Sequence, residues 1–185
     1  MLHLNTIFEA EGLNTGKIQL IRHKDPKLQK KEDKSVFDIW YSDRSRFEVY
    51  QSFQKSKFAF AVGGFVASFV VTHTNETLFV GLYTVESRRE ASPNDCDWDS
   101  IFPRPFEAGN VVHELRLTDH MDDYVQRLVI EPWTDAINFV KNADKCNPKV
   151  KELKRSKKDE PFPTYMRFRR RVADFDSIFQ TLERR

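Results

Sequence analysis

The stretch from Gly63 to Glu86 constrains this chain most. Gly63-Gly64 introduces two β-rich runs, Phe65 to His73 (FVASFVVTH) and Thr77 to Glu86 (TLFVGLYTVE), joined by a short polar link at Asn75-Glu76. β-Branched and aromatic residues fit a pleated surface, and so short a link joins antiparallel neighbours, so the stretch predicts a hairpin. Sixteen phenylalanines in 185 residues exclude a disordered chain. A chain of this length forms one domain without needing disulfide or metal staples.

Around the hairpin, Leu4, Ile7 and Phe8 ahead of Gly12 predict a short amphipathic helix, and Lys17 to His23 alternates as a strand does. From Ser35, an N-cap residue, the spacing of Phe37, Trp40, Phe47, Tyr50 and Phe53 predicts one or two helices to about Gln54, broken near Ser42-Asp43. Val111 to Leu117 and Arg127 to Ile130 read as strands, with a helical turn over Asp119 to Tyr124 between them. Short helices are predicted over 134–143 and 148–155, an extended segment between Pro161 and Pro163, and a helix over Ala173 to Leu182. The sum is an α+β single domain with a mixed, partly barrel-like sheet of about five strands and flanking helices. Residues 1–148 form its main body, and 149–185 a basic C-terminal extension packed on the same domain.

The net charge of +2 conceals a segregation. Residues 86–135 carry five Arg and twelve Asp+Glu, a balance of −7, whereas 149–171 carry ten Lys+Arg and three Asp+Glu, a balance of +7. The basic block also holds Phe162, Tyr165 and Phe168, a composition that suits phosphate contacts and base stacking as well as a solvated surface. Asp95, Asp97 and Asp99 alternate as in a calcium loop, but the loop glycine and closing Glu are missing, which leaves an exposed acidic loop. Cys96 and Cys146 stand alone, so neither a metal nor another cofactor is expected. No run is long and apolar enough to span a bilayer, and the N-terminal segment carries two acids, so a cytoplasmic protein with no membrane partner is expected.

Three constellations carry possible chemistry. Arg22, His23 and Asp25 stand where the first strand enters a loop, and read either as phosphate or base-edge donors or as an ordinary basic strand end. In IWYSDRSRFEVYQSFQ, Trp40, Tyr41, Asp43, Arg46, Tyr50, Gln51 and Gln54 mix groups able to read a nucleobase edge. The same spacing also describes an exposed helix face over an aromatic core. In the hairpin, Phe79, Gly81 and Tyr83 share one side by strict alternation, so glycine leaves a slot between two rings, to which Glu86 and Trp133 could add. Plain core packing is the other reading. No phosphate-binding glycine loop, nucleophile elbow, HExxH helix or catalytic triad can be assembled.

Five blocks in order, GKIQLIRHKD, FDIWYSDRSRFEVYQSFQ, ASFVVTHTNETLFVGLYTVE, RLVIEPW and EPFPTYMRF, resemble the N-terminal domain of bacterial GIY-YIG nuclease family proteins. The resemblance runs from about residue 3 onward and rests on block order. Those relatives continue into a nuclease module, whereas here Gly81-Leu82-Tyr83 is followed by no Tyr-Ile-Gly at the required distance. The strand pair ending in FVGLYTVE is also similar, at fold level, to PUA-like domains that bind modified bases. The resemblance implies a DNA-binding recognition module of a restriction or defence system, without a catalytic centre of its own, working with a fused or separate nuclease and sensing a modified base. Stacking would then fall to Tyr50, Phe79, Tyr83 and Trp133, with Trp40 in the same aromatic set. Edge or phosphate contacts would fall to Arg22, His23, Asp43, Arg46 and Gln51, and backbone contacts to Lys154, Arg155, Lys157, Lys158 and Arg169. A protein-protein module pairing the acidic block with the basic one is the alternative.

Overall fold

The computed structural model describes residues 2–24, 35–55, 59–96, 106–130 and 141–153. They form three α-helices, α1 (Leu4–Ala10), α2 (Val36–Ser42) and α3 (Arg44–Ser52). The strands are β1 (Ile18–His23), β2 (Phe53–Gln54), β3 (Phe65–Val71), β4 (Thr77–Glu90), β5 (Val111–Leu117), β6 (Leu128–Ile130), β7 (Lys141–Asn142) and β8 (Val150–Glu152). The expected α+β domain with a mixed, curled sheet is what folds. The sheet has eight strands among the described residues rather than about five, in the order β2-β5-β4-β3-β1-β7, with β6 joining β4 to β8.

The helices begin where the sequence places their caps. Ser35 accepts from Asp38 N (3.1 Å) while the Asp38 carboxylate accepts from Ser35 N (2.7 Å), a reciprocal capping box that satisfies two otherwise orphaned donors. Asp43 closes α2 and caps α3, accepting from Arg46 N at 3.1 Å, so the expected break near Ser42-Asp43 is a real junction. Burial pushes the Asp38 carboxyl up, but hydrogen bonds from Ser35 and His73 outweigh it and hold its pKa below the ordinary value. Removing the cap with Ser35→Ala is expected to cost about 1 kcal/mol, read as a lower urea midpoint with unchanged slope.

β1 and β3 run parallel, which requires a crossover, and residues 24–64 supply it with α2 and α3. β3 and β4 form the expected hairpin, closed by a turn in which Asn75 takes a left-handed conformation (φ 61°). Its ladder is irregular: Ser68 faces Gly81 and Phe69 faces Phe79, so Val80 is an extra residue on β4. β4 is shared along its other edge, with β6 on Thr77 and Leu78 and β5 on Tyr83 to Glu90. Between those partners the chain from Thr118 to Arg127 fills the edge: Thr118 N donates to Leu82 O (2.9 Å) and Gln126 N to Phe79 O (3.1 Å).

Two apolar clusters form on this frame. The larger gathers α1, α2 and the sheet around Trp40, Phe8, Phe47, Phe69, Phe79 and Tyr124. The smaller holds Ile21, Phe60, Val66, Tyr83 and Val85. Two predicted helices are corrected where they are described. The Lys-rich 148–155 segment, expected as a helix, contains strand β8, because its pairing with β6 overrides helix propensity. Of the helix expected over 134–143, residues 141–143 are described: Lys141 and Asn142 pair with β1 as β7, and Ala143 opens a 3-10 turn. The segments expected as extended between Pro161 and Pro163 and as a helix over Ala173 to Leu182 lie outside the described residues.

Candidate functional site

The structure separates the sequence-predicted site residues into three groups. Trp40 and Phe79 are wholly buried in the main core, Phe79 with its ring 5.5 Å from Phe69, so neither offers a face for base stacking. The extra residue at Val80 is the reason for Phe79: it breaks the alternation that put Phe79 beside Tyr83, and the two rings fall into different clusters. The slot expected at Gly81 is filled. A Cβ there would lie 2.8 Å from Leu117 Cδ1, 3.2 Å from Tyr83 Cε2 and 3.4 Å from Arg44 Nη2.

At the end of β1, His23 is buried with its ring 5.2 Å from Phe47 and 5.3 Å from Tyr50, both on α3. The expected strand-end donor is therefore part of an aromatic cluster. Burial also lowers the pKa of the half-buried Arg22 guanidinium beside it. Asp43 and Arg46 serve the α3 cap, exposed and half-buried respectively. Asp25, Trp133, Lys154, Arg155, Lys157, Lys158 and Arg169 lie outside the described residues.

Gln51 and Tyr83 meet residues that the sequence reading did not single out. Arg44, Glu48 and Gln51 stand at i, i+4 and i+7 of α3, one stripe of the helix. Beneath that stripe Ser68 Oγ donates to Gln51 Oε1 at 2.9 Å, both residues being fully buried. Arg44 Nη2 donates to Val80 O at 3.3 Å, so the guanidinium caps the carbonyl of the extra residue. Arg44 Nε lies 3.6 Å from Glu48 Oε1, an ion pair without a hydrogen bond, with each side chain about a third exposed. The Tyr83 hydroxyl lies in the field of this set without closing a hydrogen bond of full geometry.

The electrostatics follow from burial. Burial pushes the Tyr83 phenol up, and Arg44 pulls it part of the way back. Burial likewise raises the Glu48 carboxyl against the pull of Arg44. Asp122, in the excursion along the β4 edge, is raised by burial and by Asp119, with Arg44 opposing. One guanidinium thus serves a backbone carbonyl, a phenol and two carboxylates.

On β5, His113 is fully buried with its ring 5.0 Å from Phe60. Burial holds its imidazole below the ordinary value of 6.5, with backbone groups of Ser52 and Phe60 offsetting part of the effect. A base that is harder to protonate when folded contributes stability above pH 6.5 that is lost as pH falls through its folded value. His113→Leu is expected to flatten the stability profile below that pH, as followed by urea unfolding at several pH values.

Among the described residues no group of three or more His, Cys, Asp or Glu side chains is placed to hold a metal ion. No helix among them is long and apolar enough to cross a membrane. Comparison with protein-family models, with curated proteins and with solved structures finds no match to this chain. The Arg44-Glu48-Gln51-Ser68-Tyr83 set is the strongest candidate site because a helix stripe, a glycine with no room for a side chain and an irregular strand converge on it. A polar i, i+4 pair followed by an amide at i+7 was the signal available in the sequence.

Proposed function

We propose that this chain is a DNA-binding recognition module of a restriction or defence system, with base sensing placed at the α3–β4 polar set and backbone binding at the basic tract. The observation that carries the proposal is the segregated charge, a +7 tract over 149–171 in a chain of net charge +2. The start of this tract is held by the sheet, which supports the reading. Exposed Lys149 and Lys151 flank or lie within β8, Lys151 Nζ is 3.5 Å from Glu76 Oε1, and Leu153 N donates to Arg127 O at 2.7 Å. The first cations are thereby fixed to the sheet edge. The block-order resemblance to the N-terminal domain of GIY-YIG nuclease family proteins points the same way, with cutting left to a partner or a fused module.

A panel of plain and cytosine-modified duplexes, titrated at two salt concentrations, tests this function. The expected result is binding that weakens steeply with salt and differs between duplexes. Equal affinity across the panel removes base sensing and leaves general DNA binding, whereas no salt-dependent binding removes both.

A further inference from the structure

The charge segregation of the sequence becomes a segregation across the sheet. The strand order runs from β2 at one end to β7 at the other. Towards the β2 end the cations have acidic partners: Lys55 Nζ lies 3.8 Å from Glu107 Oε1, Arg89 Nη2 lies 2.6 Å from Asp95 Oδ1, and Arg116 meets Glu86. The β7 end differs. Lys17 closes the 3-10 turn Thr15–Lys17, the turn Ala143–Lys145 packs against it, and Lys149 is fixed by backbone pairing with His3. Lys17, Lys145 and Lys149 are exposed, and among the described residues none of the three has an ion pair. Asp144 is the single acid in those two turns, and nearby Glu11 accepts from the Tyr124 hydroxyl at 2.9 Å. Lys24, just past the far end of β1, is also exposed with no ion pair among the described residues. Arg22, two residues before it, is half-buried, and its Nε closes no hydrogen bond.

Cations gathered along one edge without counter-charges raise the local potential, and a polyanion that settles there gains by releasing its condensed counterions. The six residues of β1 span about 20 Å at about 3.3 Å each, the axial rise of about six phosphates of one DNA strand. We propose that the β1–β7 edge is a track for the phosphate backbone of duplex DNA, with Lys17, Lys145 and Lys149 at one end and Arg22 and Lys24 at the other. Resting on the DNA-binding reading given above, the track extends it from the basic tract to the folded body of the domain. Lys149 belongs to both, so track and tract are continuous in the chain. Lysines serve here as point charges that follow a backbone of any sequence, so this edge supplies affinity and orientation and leaves base choice to other groups.

The test is a fluorescence-anisotropy titration of a plain duplex with the full chain and its variants across several salt concentrations. Lys17→Ala, Lys145→Ala and Lys149→Ala together are expected to flatten the slope of log affinity against log salt by about 2 to 3, at about 0.9 per lost phosphate contact. Adding Lys24→Ala should remove about 1 more. Lys55→Ala is the control: its cation is paired with Glu107 at the opposite end of the strand order, and the slope should stay as it is. All of these side chains are exposed, so the circular dichroism spectrum and the urea midpoint should be retained. A slope that the triple variant leaves unchanged overturns the track and leaves DNA binding to the basic tract alone. A slope flattened as much by Lys55→Ala also overturns it, because the loss of any cation would then suffice. Absence of salt-dependent binding by the unaltered chain overturns the DNA-binding reading and the track together, an outcome that the first titration separates from the other two.

Discussion

Neutralising Lys154, Arg155, Lys157 and Lys158 together is expected to weaken duplex binding by orders of magnitude at low salt. Each phosphate contact releases condensed counterions and adds about 0.9 to the slope of log affinity against log salt, so four lost contacts should flatten that slope by roughly 3 to 4. A fluorescence-anisotropy titration across several salt concentrations reads this directly. The loss should be nearly the same for every sequence in the panel, because phosphates position the protein and carry no base information. A slope left unchanged would remove the basic tract from the interface and favour the protein-protein reading, in which the −7 and +7 blocks meet each other.

Gly81→Val is expected to be the most damaging single change in the sheet. Its Cβ would sit within 2.8 Å of Leu117 and 3.2 Å of Tyr83, and the backbone there has φ +155°. Overpacking in a filled space and backbone strain each cost about 1–3 kcal/mol, so about 3 kcal/mol or more should disappear from the unfolding free energy. Gly109→Ala provides the contrast. It carries φ +92° with nothing within 4 Å of the added Cβ, so only the conformational cost of about 1 kcal/mol should appear. Urea unfolding of both variants distinguishes a crowded glycine from a merely left-handed one.

Elements governed by local chemistry were legible in the sequence. Ser35 as a cap, the break at Asp43, the β3–β4 hairpin and β5 from Val111 to Leu117 all follow from nearest-neighbour signals. What escaped depended on partners distant in the chain. Strict alternation placed Phe79 and Tyr83 together, and only the sharing of β4 between β6 and β5, with Val80 as an extra residue, sets them apart. The Lys-rich segment around β8 has helical propensity that its pairing with β6 overrules. On α3, Asp43, Arg46, Tyr50 and Gln54 belong to the set that the sequence suggests. Asp43 proves to be a cap, Gln54 lies in β2, and the polar stripe runs through Arg44, Glu48 and Gln51. Gln51 and Tyr83 stand in that polar set, and their neighbours Arg44 and Ser68 come into view only in three dimensions.

The pairing at the edge of β8 also dictates an order of events when the protein is made. Leu4 N donates to Pro148 O and Val150 N donates to Leu2 O, so the earliest described residues find their partners only after about 150 residues have been synthesised. Until then the sheet is unfinished on that side, and the N-terminal part of β4 lacks β6, which is itself held by β8. The uncharged run TLFVGLYTV of β4 is therefore produced early and waits for β5 and β6 along one edge, a strand of the kind most prone to pair with the wrong chain. Yield from a cell is then governed by how fast that gap closes, and slower synthesis between residues 90 and 150 would prolong the exposure.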